Sequence, residues 1–280
     1  MTLEKDLRIK IEAQRDEIAR QKKELTDSIQ YASLIQSALL PPAKYFNKIF
    51  PESFIFFKPK DIVSGDFYWI YKNKNIIIVA AADCTGHGVP GAFMSVLGIS
   101  FLNEIVTKSC IPIASSILNQ LRENVMKSLH QTGEGGGQKD GMDIALCVID
   151  TKENELQFSG ANNPLYLIRK GKLTKIKGDR MPIGINAIEE ISFTNHKIPI
   201  KTNDCIYIFS DGFTDQFGGP KGKKFKYKPF QQLLTEIHDK PMNEQKVIFE
   251  HTIEEWKAGT GENVKSFEQV DDILIIGIRL

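Results

Sequence analysis

Aspartates stand at the ends of four apolar runs. Asp66 opens the run 66–71 (DFYWIY), and Asp83 closes the run 76–82 (IIIVAAA). Asp211 follows 204–210 (DCIYIFS), and Asp271 with Asp272 precede 273–279 (ILIIGIR). Each run has the length and β-branched or aromatic content of a strand. A hairpin whose turn lies between Asn73 and Lys74 places Asp66 across from Ala81. Asp83, two residues further, then shares its face in the diagonal relation, on the order of 7 Å away. A slip of one residue would reverse that face. Carboxylates gathered at one end of a sheet raise one another's pKa, and divalent cations relieve the repulsion. An all-oxygen donor set suits magnesium or manganese rather than zinc. Two such ions, roughly 3.5–4 Å apart, can share one water and clamp a phosphoryl group. A lone aspartate at a strand end is more often a turn former or helix cap, which is the reading for Asp150, Asp179, Asp204 and Asp215.

The elements that must position these acids follow from periodicity. Residues 3–40 contain neither glycine nor proline, read as one helix, and stop at Pro41-Pro42. Ile11, Ile18, Leu25, Ala32 and Leu39 recur every seventh residue, a coiled-coil seam. Leu7 and Ile35 fall on the companion core position, but so do Gln14, Gln21 and Ser28, which makes the seam weak. Strands are expected at 54–57, 66–71, 76–82, 143–149, 155–160, 164–169, 172–176, 204–210 and 273–279. Helices are expected at 89–108, 112–130, 229–238 and 243–257, with a flexible glycine-rich loop at 133–137. The short turns between strands force antiparallel pairing, because parallel neighbours need a crossover of a dozen or more residues. The expected fold is therefore α+β: a two-layer antiparallel β-sandwich flanked by helices (αββα), preceded by a long N-terminal helix. Residues 1–42 form a helical linker and 43–280 the folded domain.

Composition narrows the function classes. Thirty-six lysines and arginines balance 35 acids for a net charge of +1, so no nucleic-acid footprint appears. Cys84, Cys110, Cys147 and Cys205 lie far apart with no C-x-x-C pair. That excludes a zinc knuckle or disulfide framework and suits a reducing, cytoplasmic location. The charged N-terminus is no signal peptide, and no apolar stretch reads as long enough to enter a membrane.

Four motifs in order carry a family resemblance. They are Val63–Trp69 (VSGDFYW), Asp83–Met94 (DCTGHGVPGAFM), Ser210–Asp215 (SDGFTD) and Val270–Ile276 (VDDILII). With Gly160–Tyr166 (GANNPLY) and Met181–Ile185 (MPIGI), they resemble the SpoIIE-type branch of the metal-dependent type 2C serine/threonine phosphatases, over about residues 45–280. The resemblance implies manganese or magnesium, two ions per site. Asp83 would bridge them and the backbone carbonyl of Cys84 would bind the first, where the family more often has glycine. Asp211 and Asp271 would bind the second, and Asp66 would bind directly or through water. Asp272, often asparagine in the family, would orient its neighbour. Asp140 and Asp143 lie near where some relatives bind a third ion. The implied chemistry is in-line attack of a metal-activated water on phosphoserine or phosphothreonine, without a covalent intermediate. The arginine that holds phosphate in human-type relatives has no counterpart, and Lys58 and Lys60 are the nearest cations. His87 is a candidate general acid by type and nearness. The implied partner is a phosphorylated STAS-type anti-sigma-factor antagonist. The helix 3–40 would make a homodimer and regulate metal affinity by packing on 41–60.

Three rivals remain beside this reading. Gly86-x-Gly88-x-x-Gly91 matches a dinucleotide fingerprint, but Asp83 would sit against the pyrophosphate and the next element is a helix, not a strand. The glycines serve tight backbone packing instead. A kinase-like nucleotide loop conflicts with the long meander and the C-terminal Asp-Asp strand. The non-enzyme alternative is a catalytically inactive dimeric signalling scaffold of the same fold.

Overall fold

The protein is described from a computed structural model, which covers residues 2–108, 112–132, 139–186, 192–259 and 266–280. The N-terminal helix α1 spans Thr2–Leu39, and a short α2 (Ala43–Ile49) follows the proline pair. Then come β1 (Ser53–Lys58), β2 (Phe67–Asn73), β3 (Ile76–Cys84), α3 (Gly88–Lys108) and α4 (Ala114–Ser128). The meander holds β4 (Met142–Asp150), β5 (Glu155–Ala161), β6 (Leu165–Arg169), β7 (Lys172–Ile176) and β8 (His196–Pro199). The chain ends with β9 (Cys205–Phe209), α5 (Gly212–Asp215), β10 (Phe217–Gly218), β11 (Lys223–Lys224), α6 (Tyr227–Ile237), α7 (Met242–Ala258) and β12 (Ile273–Arg279). Helix α2, strand β8, the one-turn α5 and the β10–β11 pair have too few residues to show a period in sequence. The glycine-rich segment 133–137, expected as a loop, lies outside the described residues.

The strands form two five-stranded antiparallel sheets, ordered β2-β3-β4-β5-β8 and β1-β12-β9-β6-β7. Alternation along each strand divides the apolar residues into three cores. Val79, Ala81, Cys147, Phe158, Ile206, Ile208 and Ile276 meet between the sheets. Ile78, Ala80, Leu146 and Val148 face α3 and α4 on one outer side. Tyr207, Phe209, Ile273 and Ile275 face α6 and α7 on the other. Helix, sheet, sheet, helix is the expected αββα layering.

The β2–β3 hairpin corrects the expected register. Asn73 pairs with Ile76 and Tyr68 with Ala81, so the turn is only Lys74-Asn75. Lys74 takes a φ of 51°, which lets the strands run to the end of a two-residue turn. Asp66, one residue before β2, therefore comes opposite Asp83 itself rather than diagonal to it. The shift is two residues, an even number, so both side chains keep the face between the sheets.

Helix α3 corrects a second expectation. This 21-residue helix, by length and composition alone, is long and apolar enough to cross a membrane, with mean hydropathy 1.5 over an 18-residue window. Its Leu102, Ile105 and Val106 are buried in the core against α4 and the sheet, so here it is the core helix of a folded domain. The end of α1 meets α3 and the segment before β2, where Gln36 hydrogen-bonds to Ser64 and Ser95. The heptad positions Ile11, Ile18 and Leu25 are 55%, 64% and 63% exposed, so this seam is not spent on the domain's own core.

Candidate metal centre

The acids converge because both sheets end at the same edge. On the first sheet, Asp83 on β3 pairs with Asp143 on β4, and the β2–β3 register brings Asp66 to the other side of Asp83. Asn162 Nδ2, just past β5, donates to Asp143 Oδ1 at 2.8 Å. One rung across four strands thus reads Asp66, Asp83, Asp143, Asn162. From the second sheet come Asp211, just past β9, and Asp271 with Asp272, just before β12. The Asp211 backbone N–H bonds to the Asp83 carboxyl and ties the two sheets together at this end.

Asp83, Asp143, Asp211 and Asp271 line one cleft of about 290 Å³ with Cys84, Thr85, Gly86, His87 and Lys139. Asp66 lies beneath, only 2% exposed, and accepts a 2.5 Å hydrogen bond from Ser210 Oγ. Burial, then the Asp83 charge, drives the Asp66 pKa well above the usual carboxylate range. Burial, then Asp211, Asp271 and Asp143, raises Asp83 in the same way. Asp211 is pushed up to about 6 by burial, then by Asp215 and Asp271. Burial raises Asp143 and Asp271 as well. Among the described residues, no three Asp, Glu, His or Cys side chains already close on a single point. The acids stand around the cleft instead. The donor chemistry still fits a hard divalent cation: the described lining offers at least four carboxylates, the Cys84 main chain, one lysine and one histidine.

Asp66, Asp143, Asp271 and Asp272 each have a visible holder. Asp272 is buried and accepts two backbone N–H bonds at 2.7 Å, from Lys60 on Oδ1 and Gly65 on Oδ2. It braces the 60–66 loop that delivers Asp66. Its own N–H donates to Asp271 Oδ1 at 2.9 Å, which orients the neighbour. Gln269 Nε2 bridges the carbonyls of Lys58 and Asp271. Cys84 points its thiol into the helix-side core, leaving its main chain at the cleft. The glycine motif works by close approach. A Cβ on Gly91 would lie 2.2 Å from the Gly86 carbonyl oxygen, and Gly86 itself has φ +81°. Asp140 departs from the group: it lines an adjacent cavity with Thr85, Val89, Phe93 and Leu129.

Asp61 and Lys139 carried no sequence signal, whereas Lys60 and His87 were named from it. Asp61 Oδ2 lies 2.8 Å from His87 Nδ1, and Lys60 Nζ lies 3.0 Å from His87 Nε2. Lys139 reaches the cleft from beyond the glycine-rich segment. None of these sits in a repeated spacing. Lys58, by contrast, is spent on Glu254 at 2.6 Å. The bland readings stand: Asp204 pairs with Arg169, Asp150 and Asp179 accept from nearby loop groups, and Asp215 pairs with Lys224.

Residues 73–280 match the family model described as Stage II sporulation protein E (SpoIIE). The SiaA-PP2C domain of Pseudomonas aeruginosa is 31% identical over 92% of this chain and 98% of its own, with a TM-score of 0.80. The PP2C phosphatase domain of SpoIIE from Bacillus subtilis, with a fragment of its regulatory domain, superposes at a TM-score of 0.63. That match has 17% identity over 81% of this chain and 62% of the other. The RsbU and RsbW domains of Rv1364c from Mycobacterium tuberculosis give 0.61, with 16% identity over 81% and 60%. No curated protein sequence matches the chain. With the four motifs in order and their acids at one sandwich edge, the chain belongs to the SpoIIE family of PP2C-type phosphatase domains.

Proposed function

We propose that this protein is a manganese- or magnesium-dependent phosphatase acting on phosphoserine or phosphothreonine of a partner protein in the cytoplasm. The observation that carries the reading is the gathering of Asp66, Asp83, Asp211 and Asp271 from four separated segments at one cleft. Asp83, Asp211 and Asp271, with Asp66 below and the Cys84 carbonyl, would hold two cations, and Asp143 stands beside Asp83 for a third. When bound, such cations supply positive charge that acidifies water and neutralises phosphoryl oxygens. Lys139, which lines the cleft, and Lys60, beside His87, would meet the phosphate in the role that human-type relatives give to arginine. His87, fixed by Asp61 at Nδ1, would protonate the departing serine oxygen from Nε2 once that nitrogen has taken a proton from water and its contact with Lys60 Nζ has opened. Asp83 and Asp211 hold the reacting water in place.

The phosphoprotein partner we favour is a small STAS-type antagonist, the substrate class implied by the family. We further propose that residues 1–42 dimerise the protein and regulate domain 43–280. The test is hydrolysis of p-nitrophenyl phosphate and of a phosphoserine peptide with and without Mn²⁺. Asp83→Asn and Asp211→Asn should each lose activity by about a thousandfold, the scale of losing preorganised charge stabilisation. Full activity in both variants refutes the site. A wild-type chain inactive with both metals points instead to the scaffold reading.

A further inference from the structure

Helix α1 buries one polar side chain where a docking helix would ordinarily bury an apolar one. Gln36 is 6% exposed, while its neighbours Ile35 and Leu39 are 51% and 41% exposed. Its amide is fully engaged. Gln36 Nε2 donates to the Ser64 carbonyl at 2.6 Å and to Ser95 Oγ at 2.8 Å. Gln36 Oε1 accepts from the Ser64 N–H at 3.0 Å. One side chain thus grips both backbone groups of Ser64 and, through Ser95, helix α3. Ser64 lies two residues before Asp66, and the intervening Gly65 N–H is held by Asp272. The segment delivering Asp66 is therefore clasped from two sides, one fixed by the sheet and one contributed by α1.

We propose that Gln36 is a positioning residue that couples the N-terminal helix to the metal centre by fixing the backbone of residues 63–66. This rests on the metal-dependent reading above and names its point of regulation. Apolar burial would dock α1 in many similar rotations, because it is non-directional. An amide that must match an N–H and a C=O of one residue accepts a single rotation and translation. A turn or slide of α1 therefore releases Ser64 and frees Asp66 from its place beside Asp83. The exposed seam of the same helix is where a second copy or a sensor could impose that movement.

The test uses the full chain carrying Gln36→Leu, which keeps the volume and removes all three bonds. Two readouts are taken: amide exchange of residues 63–66 in metal-free protein, and Mn²⁺ affinity by calorimetry. Exchange should quicken, and Mn²⁺ binding should weaken by about tenfold, the worth of about one buried hydrogen bond. Leu34→Ala, an exposed neighbour, should change neither. Unchanged exchange, or affinity within about twofold of wild type, overturns the proposal. Should Gln36→Leu fail to fold, Ser95→Ala removes one bond and must shift both readouts the same way by less; no shift overturns it. If wild type binds no Mn²⁺, the phosphatase reading fails, and the exchange result alone judges the clasp.

Discussion

At the scale of single residues, the cleft is a store of electrostatic repulsion. Asp66, Asp83 and Asp211 all have folded pKa values above the unfolded carboxylate value, with burial as the main cause. The metal-free folded state therefore binds more protons than the unfolded chain between those values. Stability then falls as pH rises through these raised pKa values, the one at Asp211 being about 6. Thermal unfolding in chelator should show a higher Tm at pH 5 than at pH 7.5, and Mn²⁺ at pH 7.5 should recover the difference. A metal-free Tm that rises from pH 5 to pH 7.5 contradicts this. The Asp61–His87 pair predicts a different signature. A serine alkoxide needs a proton to leave, whereas p-nitrophenolate does not. His87→Gln and Asp61→Asn should slow the phosphoserine peptide by about a hundredfold, at the low end for general acid catalysis, and barely affect p-nitrophenyl phosphate. Equal losses on both substrates would remove His87 from the acid role.

At the scale of elements, the turn after β3 decides whether strand and helix can meet. Gly91, in the first turn of α3, approaches the Gly86 carbonyl so closely that any Cβ collides with backbone. Gly91→Ala should destabilise by about 1–3 kcal/mol, the usual cost of overpacking. A shift in the urea midpoint measures it, and an unchanged midpoint would show that the loop relaxes freely. The dinucleotide look-alike is thereby explained: its glycines serve contact between backbones beside an acidic cleft, and the next element, α4, is a helix. The hairpin shows why its register could not be read from residue types alone. Lysine and asparagine alternate through 72–75, so residue types leave the turn open, and the pairing of Tyr68 with Ala81 across β2 and β3 selects the two-residue turn.

At the scale of the whole molecule, α1 leaves its apolar seam bare while its last turns lock onto Ser64 and Ser95. Such a helix has partner surface to spare. The proposed dimer predicts that Ile18→Arg with Leu25→Arg lowers the sedimenting mass to that of one chain, since charge at core positions of a weak coil is not tolerated. A wild-type chain that sediments as a monomer would dispose of the dimer. The proposed coupling predicts that movement of α1 reaches the site by way of the 60–66 loop, where Gln36 and Asp272 hold the backbone, rather than through the strands.

The sequence by itself determined nine of the twelve described strands, the αββα layering and the aspartates at strand ends. Those depend on periodicity and on residue types that a local window contains. It also marked the glycine turn, because backbone approach tolerates no side chain. Only the tertiary structure decided that Asp66 faces Asp83 directly, that Asp140 lines another cavity, that Lys139 lines the cleft, that Asp61 meets His87 and that Gln36 holds Ser64. Those facts depend on pairing between distant segments, where one strand's neighbour fixes another's register. Solitary polar residues reveal a role only when folding has chosen what stands opposite them.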